Sequence, residues 1–280
     1  MNETFETSQV QSKTPMSFMK RMFMSSKKMF IIVAAYVISL VSGLFGVLAT
    51  NFKLMDFVNE FLAMVEESGA TIDTATQEAI DWLSSIANTV DTLFVVIGIA
   101  GLIPAALMAA GVLLIYFGVM KDDASKVSIG ALIFRILFIY QIVLQSLAAL
   151  LVLLCSAMLS IAFTDFAALV ILLSIFILVP LVLTITYYGK FEKMLKNLGL
   201  SARTGINTLK VSSYVTVITK IAAILGIISA VLSIGSSLIG SLGDLLSSVA
   251  LLFVADLFVE YKDEMGTPTP EDIQAAKECK

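Results

Sequence analysis

The fold is decided by residues 166–189, FAALVILLSIFILVPLVLTITYYG, a run of 24 residues that contains no charged side chain. About 20 consecutive apolar residues suffice for an α-helix to cross the hydrocarbon core of a bilayer. Uncharged runs of similar length recur before and after it, in residues 29–49, 93–120, 136–164 and 221–243. The sequence therefore predicts an all-α, polytopic membrane protein.

Composition supports this class. The chain has 280 residues, of which 58% are hydrophobic and 14% charged, and its mean hydropathy is +0.95. Soluble domains contain roughly 45–50% apolar and about 25% charged residues. A water-soluble fold is thus excluded, and with a net charge of −4 nucleic acid is not an expected partner.

The residue types that most often carry chemistry are scarce. The chain has no histidine, which is the commonest metal ligand and the commonest general base near neutral pH. Its two cysteines, Cys155 and Cys279, form no CxxC pair, and HExxH, GxSxG and P-loop motifs are absent from the sequence. We expect no enzyme activity, no catalytic or metal-binding residue and no cofactor.

The charges between the apolar runs separate by sign. Lys20, Arg21, Lys27 and Lys28 precede the first run, and positive residues at this place usually stay in the cytoplasm. The segment 50–92 has eight acids against one lysine, whereas the segment 189–212 has five basic residues against one acid. We predict that the first of these segments is extracellular and the second cytoplasmic.

Six spans follow from this alternation, and an even number places both termini in the cytoplasm. The predicted single membrane domain, 29–260, has spans at about 29–49, 93–118, 136–160, 166–188, 213–234 and 244–259. The last span results from a turn predicted in the small-residue series 235–243, and it is short enough to need bilayer thinning or protein cover. A basic, Met-rich cytoplasmic segment (1–28) and an acidic cytoplasmic tail (261–280) flank the domain.

Amphipathic patterns occur outside the spans. Residues 51–67 predict one helix of the extracellular segment, and a second is predicted to begin at a Thr74–Gln77 capping box and to continue toward span two. On the cytoplasmic side, residues 190–198 predict a short helix with lysines on one side and apolar residues on the other, ending at Gly199. We expect this helix and the Met-rich segment to rest on anionic lipid headgroups.

Polar residues inside the spans are candidate functional groups, because each is costly in the bilayer unless paired or hydrated. Counted along the helices from the predicted turn, Lys220 and Asp256 fall at nearly equal depth and could pair. Span three carries Gln141 and Gln145 on a small, polar side that predicts either helix contact or a substrate path.

Prolines and small residues indicate bends and close contacts. Pro104 and Pro180 each remove one helix hydrogen bond and are candidate hinges, although membrane helices also tolerate proline for packing alone. Small residues at four-residue steps predict tight packing of spans one and two; they are Ala35, Ser39, Gly43, Gly101, Ala105 and Ala109.

Two functions are compatible with these features. The first is a non-catalytic accessory, assembly or structural membrane component that acts through a membrane-protein partner or a second copy of itself. The alternative is a small transporter or channel with a polar path along span three and a Lys220/Asp256 coupling pair. In either case we expect a multi-pass protein of a cell membrane, of the bacterial cytoplasmic type.

Overall fold

The computed structural model describes residues 14–49, 56, 58–60, 62–63, 74–162, 166–234 and 238–279. The long elements in these ranges are helices, and we number them in chain order: α1 Pro15–Ser25, α2 Lys28–Ala49, α3 Thr74–Met120, α4 Ala124–Ala162, α5 Ala167–Thr204, α6 Ser213–Leu232, α7 Leu238–Met265 and α8 Pro270–Glu278.

The prediction of an all-helical chain with several helices long and apolar enough to span a membrane is confirmed for the described residues. Within the described residues, five segments are long and apolar enough to cross a membrane: Leu102–Met120, Ala124–Ile161, Ala167–Thr204, Ser213–Leu232 and Gly240–Met265. A sixth is obtained if α1 and the following helix, which are bent by 79° at a short break, count as one span. The protein is therefore a candidate for five or six spans.

The helices α2 to α7 form a ring in which neighbours in sequence are neighbours in space. Each contacts the next, and α7 closes the ring by packing against α2. The six joints differ in extent: α4 and α5 share the largest contact, and α5 and α6 by far the smallest. The α5–α6 seam is consequently the weakest joint.

One end of the ring is a well-packed core, which we call the base; it comprises the ends of the ring helices on this side, together with α1, the turn at residues 121–123, the segment 205–212 and α8. Val119, Val127, Val215 and Leu209 are each at most 1% exposed there. Helix α1 crosses the base and contacts α2, α3, α5 and α7. We call the opposite end, where α4 meets α5 and α6 meets α7, the tip.

Ion pairs join α1 and the start of α2 to the turn before α4 and to α7. Lys20 pairs with Asp122 in the turn before α4, Arg21 lies 3.7 Å from Glu264 of α7, and Lys28 pairs with Glu260. Phe18 meets Tyr261 edge to face, with ring centroids 5.6 Å apart. The bent position of α1 is therefore held by both charge and aromatic contact.

A carboxylate also caps the start of α4. The backbone N–H of Lys126 donates to Asp123 Oδ1 at 3.1 Å, and Lys126 Nζ lies 2.6 Å from Oδ2. These interactions favour the ionised carboxylate, so the pKa of Asp123 lies below its usual value.

The predicted end of the basic helix at Gly199 is wrong. Helix α5 continues from Ala167 to Thr204 and ends at Gly205, whose φ of 70° suits glycine. A Cβ on Gly199 would lie 3.4 Å from Ser128 Oγ, so Gly199 lies in the contact between α5 and α4. Sequence reasoning mistook a packing glycine for a helix terminator.

The predicted contact of the basic helix with headgroups is also wrong for its apolar side. Phe191, Met194, Leu195 and Leu198 are buried in the base, because α1, α4 and the segment 205–212 cover them. In the Met-rich segment, Met19 and Met22 are likewise buried, whereas Met24 is 67% exposed.

The last span is longer than predicted. Helix α7 begins at Leu238 and runs through Asp244 and Asp256 to Met265. Of the small-residue series 235–243, the residues 235–237 lie outside the described ranges and the others are helical. Gly243 packs beside Ser42 of α2, so this end of the series lies in a contact between two helices.

The extracellular segment predicted for 50–92 is described only in part. Within 51–67, Val58 is buried and Asp56 and Glu60 are exposed on helical backbone, while the other residues fall mostly outside the described ranges. Helix α3 runs without a break from Thr74 into the membrane-spanning part; the side chains of the Thr74–Gln77 box lie outside the description.

Candidate binding cavity

The ring encloses a cavity of about 730 Å³. Its walls come from all six ring helices, and α1 closes it at the base with Met19, Met22 and Phe23. Ligand sites in proteins usually measure about 300–1,000 Å³ and are mostly apolar. The cavity is thus large enough to hold a small or chain-like molecule.

The cavity is elongated along the helix axes. Its lining residues on α5 run from Leu183 to Leu198, and those on α7 run from Ser247 to Tyr261. At 1.5 Å per residue, each set extends over roughly 21 Å. This shape suits a hydrocarbon chain better than a compact solute.

The lining is apolar, with a few hydroxyl groups. Aliphatic and aromatic side chains dominate, and none of the described residues that line the cavity is charged. Its lining also includes residues that carry hydroxyl groups, among them Tyr36 and Ser39 of α2, Tyr187 of α5, Thr219 of α6 and Ser247 of α7. The described lining therefore offers no ionic partner, and it suits an uncharged molecule.

Two of these hydroxyls form the clearest polar contact of the cavity wall. Thr219 Oγ1 donates to the carbonyl of Val215 at 2.7 Å. The Tyr187 hydroxyl lies 3.0 Å from the same Oγ1 and so supplies the hydrogen of their mutual bond. This contact crosses the α5–α6 seam.

The candidate pair Lys220 and Asp256 does not reach the cavity. The two side chains form an ion pair of 2.9 Å between α6 and α7, but they are 43% and 41% exposed on the outside of the ring. Neither lines the cavity. The pair therefore connects α6 to α7 and forms no part of the described cavity wall.

The glutamines of α4 are separate from both features. Gln141 and Gln145 are half-buried and are absent from the cavity wall. Along the same helix Leu144, Leu147 and Leu151 are exposed, so the polar side turns toward protein. The structure does not join the glutamines to Lys220 and Asp256 in one path.

The predicted hinges lie within continuous helices. Pro104 is inside α3 and lines the cavity, while Pro180 is inside α5 and is exposed. Thr184 Oγ1 donates at 2.8 Å to the carbonyl of Pro180. Neither helix is interrupted at its proline.

The predicted packing residues of spans one and two divide between two roles. Ala35 and Ala109 are buried, and a Cβ on Gly43 would lie 3.3 Å from Leu102 of α3. In contrast, Ser39 and Ala105 line the cavity. Gly101 belongs to α3, but its surroundings lie outside the description.

Sequence reasoning missed the aromatic residues of the cavity, among them Tyr36, Tyr187 and Phe138. A signal was present: Tyr36 and Tyr187 place hydroxyl groups within otherwise uncharged runs. Membrane tyrosines commonly mark the interface, and one sequence does not distinguish that use from a cavity wall.

Among the described residues, no group of three or more acidic or cysteine side chains could hold a metal ion. Comparison of the chain with protein-family models, curated protein sequences and solved structures gives no match. The fold and cavity define a class, an α-helical protein in which several helices long and apolar enough to span a membrane surround an internal apolar cavity.

Proposed function

We propose that this chain is a non-catalytic, multi-pass accessory protein of a cell membrane, and that it acts by binding an apolar molecule inside its helix ring. The observation that carries the proposal is the cavity of about 730 Å³, whose described lining is apolar and uncharged. In such a site, stabilisation comes from close packing between the ligand and the side chains of the cavity wall.

The proposal includes six spans with the base and both termini in the cytoplasm. The described lysines and arginines lie at or near the base with the exception of Lys220, whereas Glu78, Asp81 and Asp91 lie on the opposite end of α3. An excess of basic residues marks cytoplasmic segments. Exposed Lys193 and Lys196 would then stand close to anionic headgroups.

The transporter or channel alternative has one observation in its favour, the 2.9 Å ion pair between Lys220 and Asp256. A coupling pair must be reached by the transported species, and this one faces away from the cavity. The accessory function therefore has the broader geometric support.

The cavity can be tested with an uncharged lipid that carries a photoreactive diazirine in its chain. In protein reconstituted into vesicles, we expect saturable labelling of cavity residues such as Phe191 and Leu195. Ala105→Phe, which fills space in the cavity wall, should reduce that labelling several-fold.

Ala106→Phe is the matched control, because Ala106 is the next residue of α3 and is exposed on the outer face. It should leave cavity labelling unchanged. Labelling restricted to outward-facing positions such as Leu172 and Ile228 would contradict the proposed function.

A further inference from the structure

We propose that the α5–α6 seam is a lateral portal through which an uncharged long-chain lipid passes from the bilayer into the cavity. This inference rests on the proposed function and adds the route and the chemical class of the ligand. The observation that carries it is the uneven closure of the ring.

The described hydrogen bonds and ring contacts across the seam lie near the base. The contacts that join its two helices there are the Tyr187–Thr219 hydrogen bond, a 3.1 Å bond from the Tyr214 hydroxyl to the carbonyl of Leu183, and Lys190 Nζ 4.3 Å above the Tyr214 ring. All lie at or on the base side of Leu183.

The exposed residues of the cavity lining place the opening of the cavity on the tip side of these contacts. Among the described residues that line the cavity, Leu183 of α5 and Ala222 of α6 are exposed, and the others are buried or half-buried. These two residues stand on the two sides of the same seam. The cavity therefore communicates with the outside of the ring at this point.

The surroundings of the opening are apolar. Val182 and Leu183 on α5, and Ile221 and Leu225 on α6, are all about half exposed or more. Leu183 lies 16 residues from the tip end of α5 at Ala167, roughly 24 Å along the helix, which is within reach of a hydrocarbon core about 30 Å thick. The medium at the portal is lipid chains.

The lining selects the chemical class of the molecule that enters. Without a basic side chain on the described cavity wall, a phosphate or carboxylate would be buried unpaired, which is strongly unfavourable. The hydroxyls of Tyr36, Ser39 and Ser247 can instead bond to an alcohol or ester oxygen. A long-chain alcohol or a diacylglycerol has the required combination of groups.

The portal can be tested by locking the seam. In a background with Cys155→Ala and Cys279→Ser, the pair Leu183→Cys and Ala222→Cys is joined by a short bis-methanethiosulfonate, which forms a reducible disulfide with each cysteine and releases sulfinate. We expect the lock to slow cavity labelling by the uncharged photoreactive lipid at least tenfold, and reductant to restore the rate.

The control lock is placed at another joint of the ring. Ser42→Cys and Gly243→Cys join α2 to α7, where a Cβ on Gly243 would lie 3.4 Å from Ser42 Cβ. This lock should leave the labelling rate unchanged. Equal labelling rates with the seam locked and unlocked would overturn the portal, while the proposed cavity function would stand.

The ligand class is tested with the unlocked protein. Excess diacylglycerol or long-chain alcohol should compete with the probe, and phosphatidylglycerol should not. Equal competition by phosphatidylglycerol would overturn the uncharged class. Absence of cavity labelling in the unlocked protein would overturn both this inference and the proposed function on which it rests.

Discussion

At the scale of single residues, glycines set how closely the helices approach. A Cβ on Gly130 of α4 would lie 2.7 Å from the carbonyl oxygen of Gly111 on α3, and one on Gly118 would lie 2.7 Å from the backbone nitrogen of Val127. Backbone contact of this kind has no room for a side chain. The α3–α4 joint depends on these positions, although neither stands out in the sequence.

Gly130→Ala should therefore lower the stability of the protein. The added methyl group meets backbone atoms that cannot rotate away, and overpacking of this kind costs about 1–3 kcal/mol. Thermal unfolding in a mild detergent, followed by circular dichroism, should show a lower midpoint.

Gly189→Ala is the matched control, since a Cβ at this position of α5 would have no neighbouring atom within 4 Å. Its midpoint should equal or exceed that of the parent protein, because glycine in a helix costs roughly 0.5–1 kcal/mol relative to alanine. If Gly130→Ala behaved in the same way, the close approach would not be a determinant of stability.

At the scale of elements, substitution of Lys220 and Asp256 tests how much their ion pair contributes to the joint between α6 and α7. Lys220→Gln or Asp256→Asn alone leaves one charge without its partner beside apolar helices. Each single variant should be less stable than the double variant, with a coupling of about 0.5–3 kcal/mol between the two changes. Unfolding midpoints of the four proteins measure that coupling.

A vesicle flux assay on the double variant separates the structural role from the transport alternative. If the pair only joins two helices, the folded double variant should retain whatever ion or solute flux the parent protein shows. Selective loss of flux in a protein of normal stability would favour the coupling role.

The existence of the helices could be predicted from the sequence, but their ends and contacts could not. An apolar run predicts a helix that can enter a bilayer, because this property depends only on the composition of one local stretch. Gly199 resembles a helix terminator because local sequence does not show Ser128 lying against it. The cavity could not be predicted for the same reason. Tyr36 and Tyr187 are far apart in the chain, and only the folded ring brings both to the cavity wall.

At the scale of the whole molecule, the distribution of charge predicts that the base faces the cytoplasm and the far end of α3 faces the outside. In the cysteine-free background, Arg203→Cys at the base should react with a membrane-impermeant thiol reagent only after the membrane is opened. Glu78→Cys on the far end of α3 should react in intact cells. Both side chains are exposed, so reversed labelling would place the base outside.

The lengths of α4 and α5 have a practical consequence for imaging. The helices contain 39 and 38 residues, about 58 Å each, nearly twice the thickness of a bilayer's hydrocarbon core. A detergent micelle that covers the apolar surface must leave much of the base uncovered. The particle therefore has a rigid feature outside the micelle, which can guide alignment in electron cryomicroscopy and present a surface for antibody fragments.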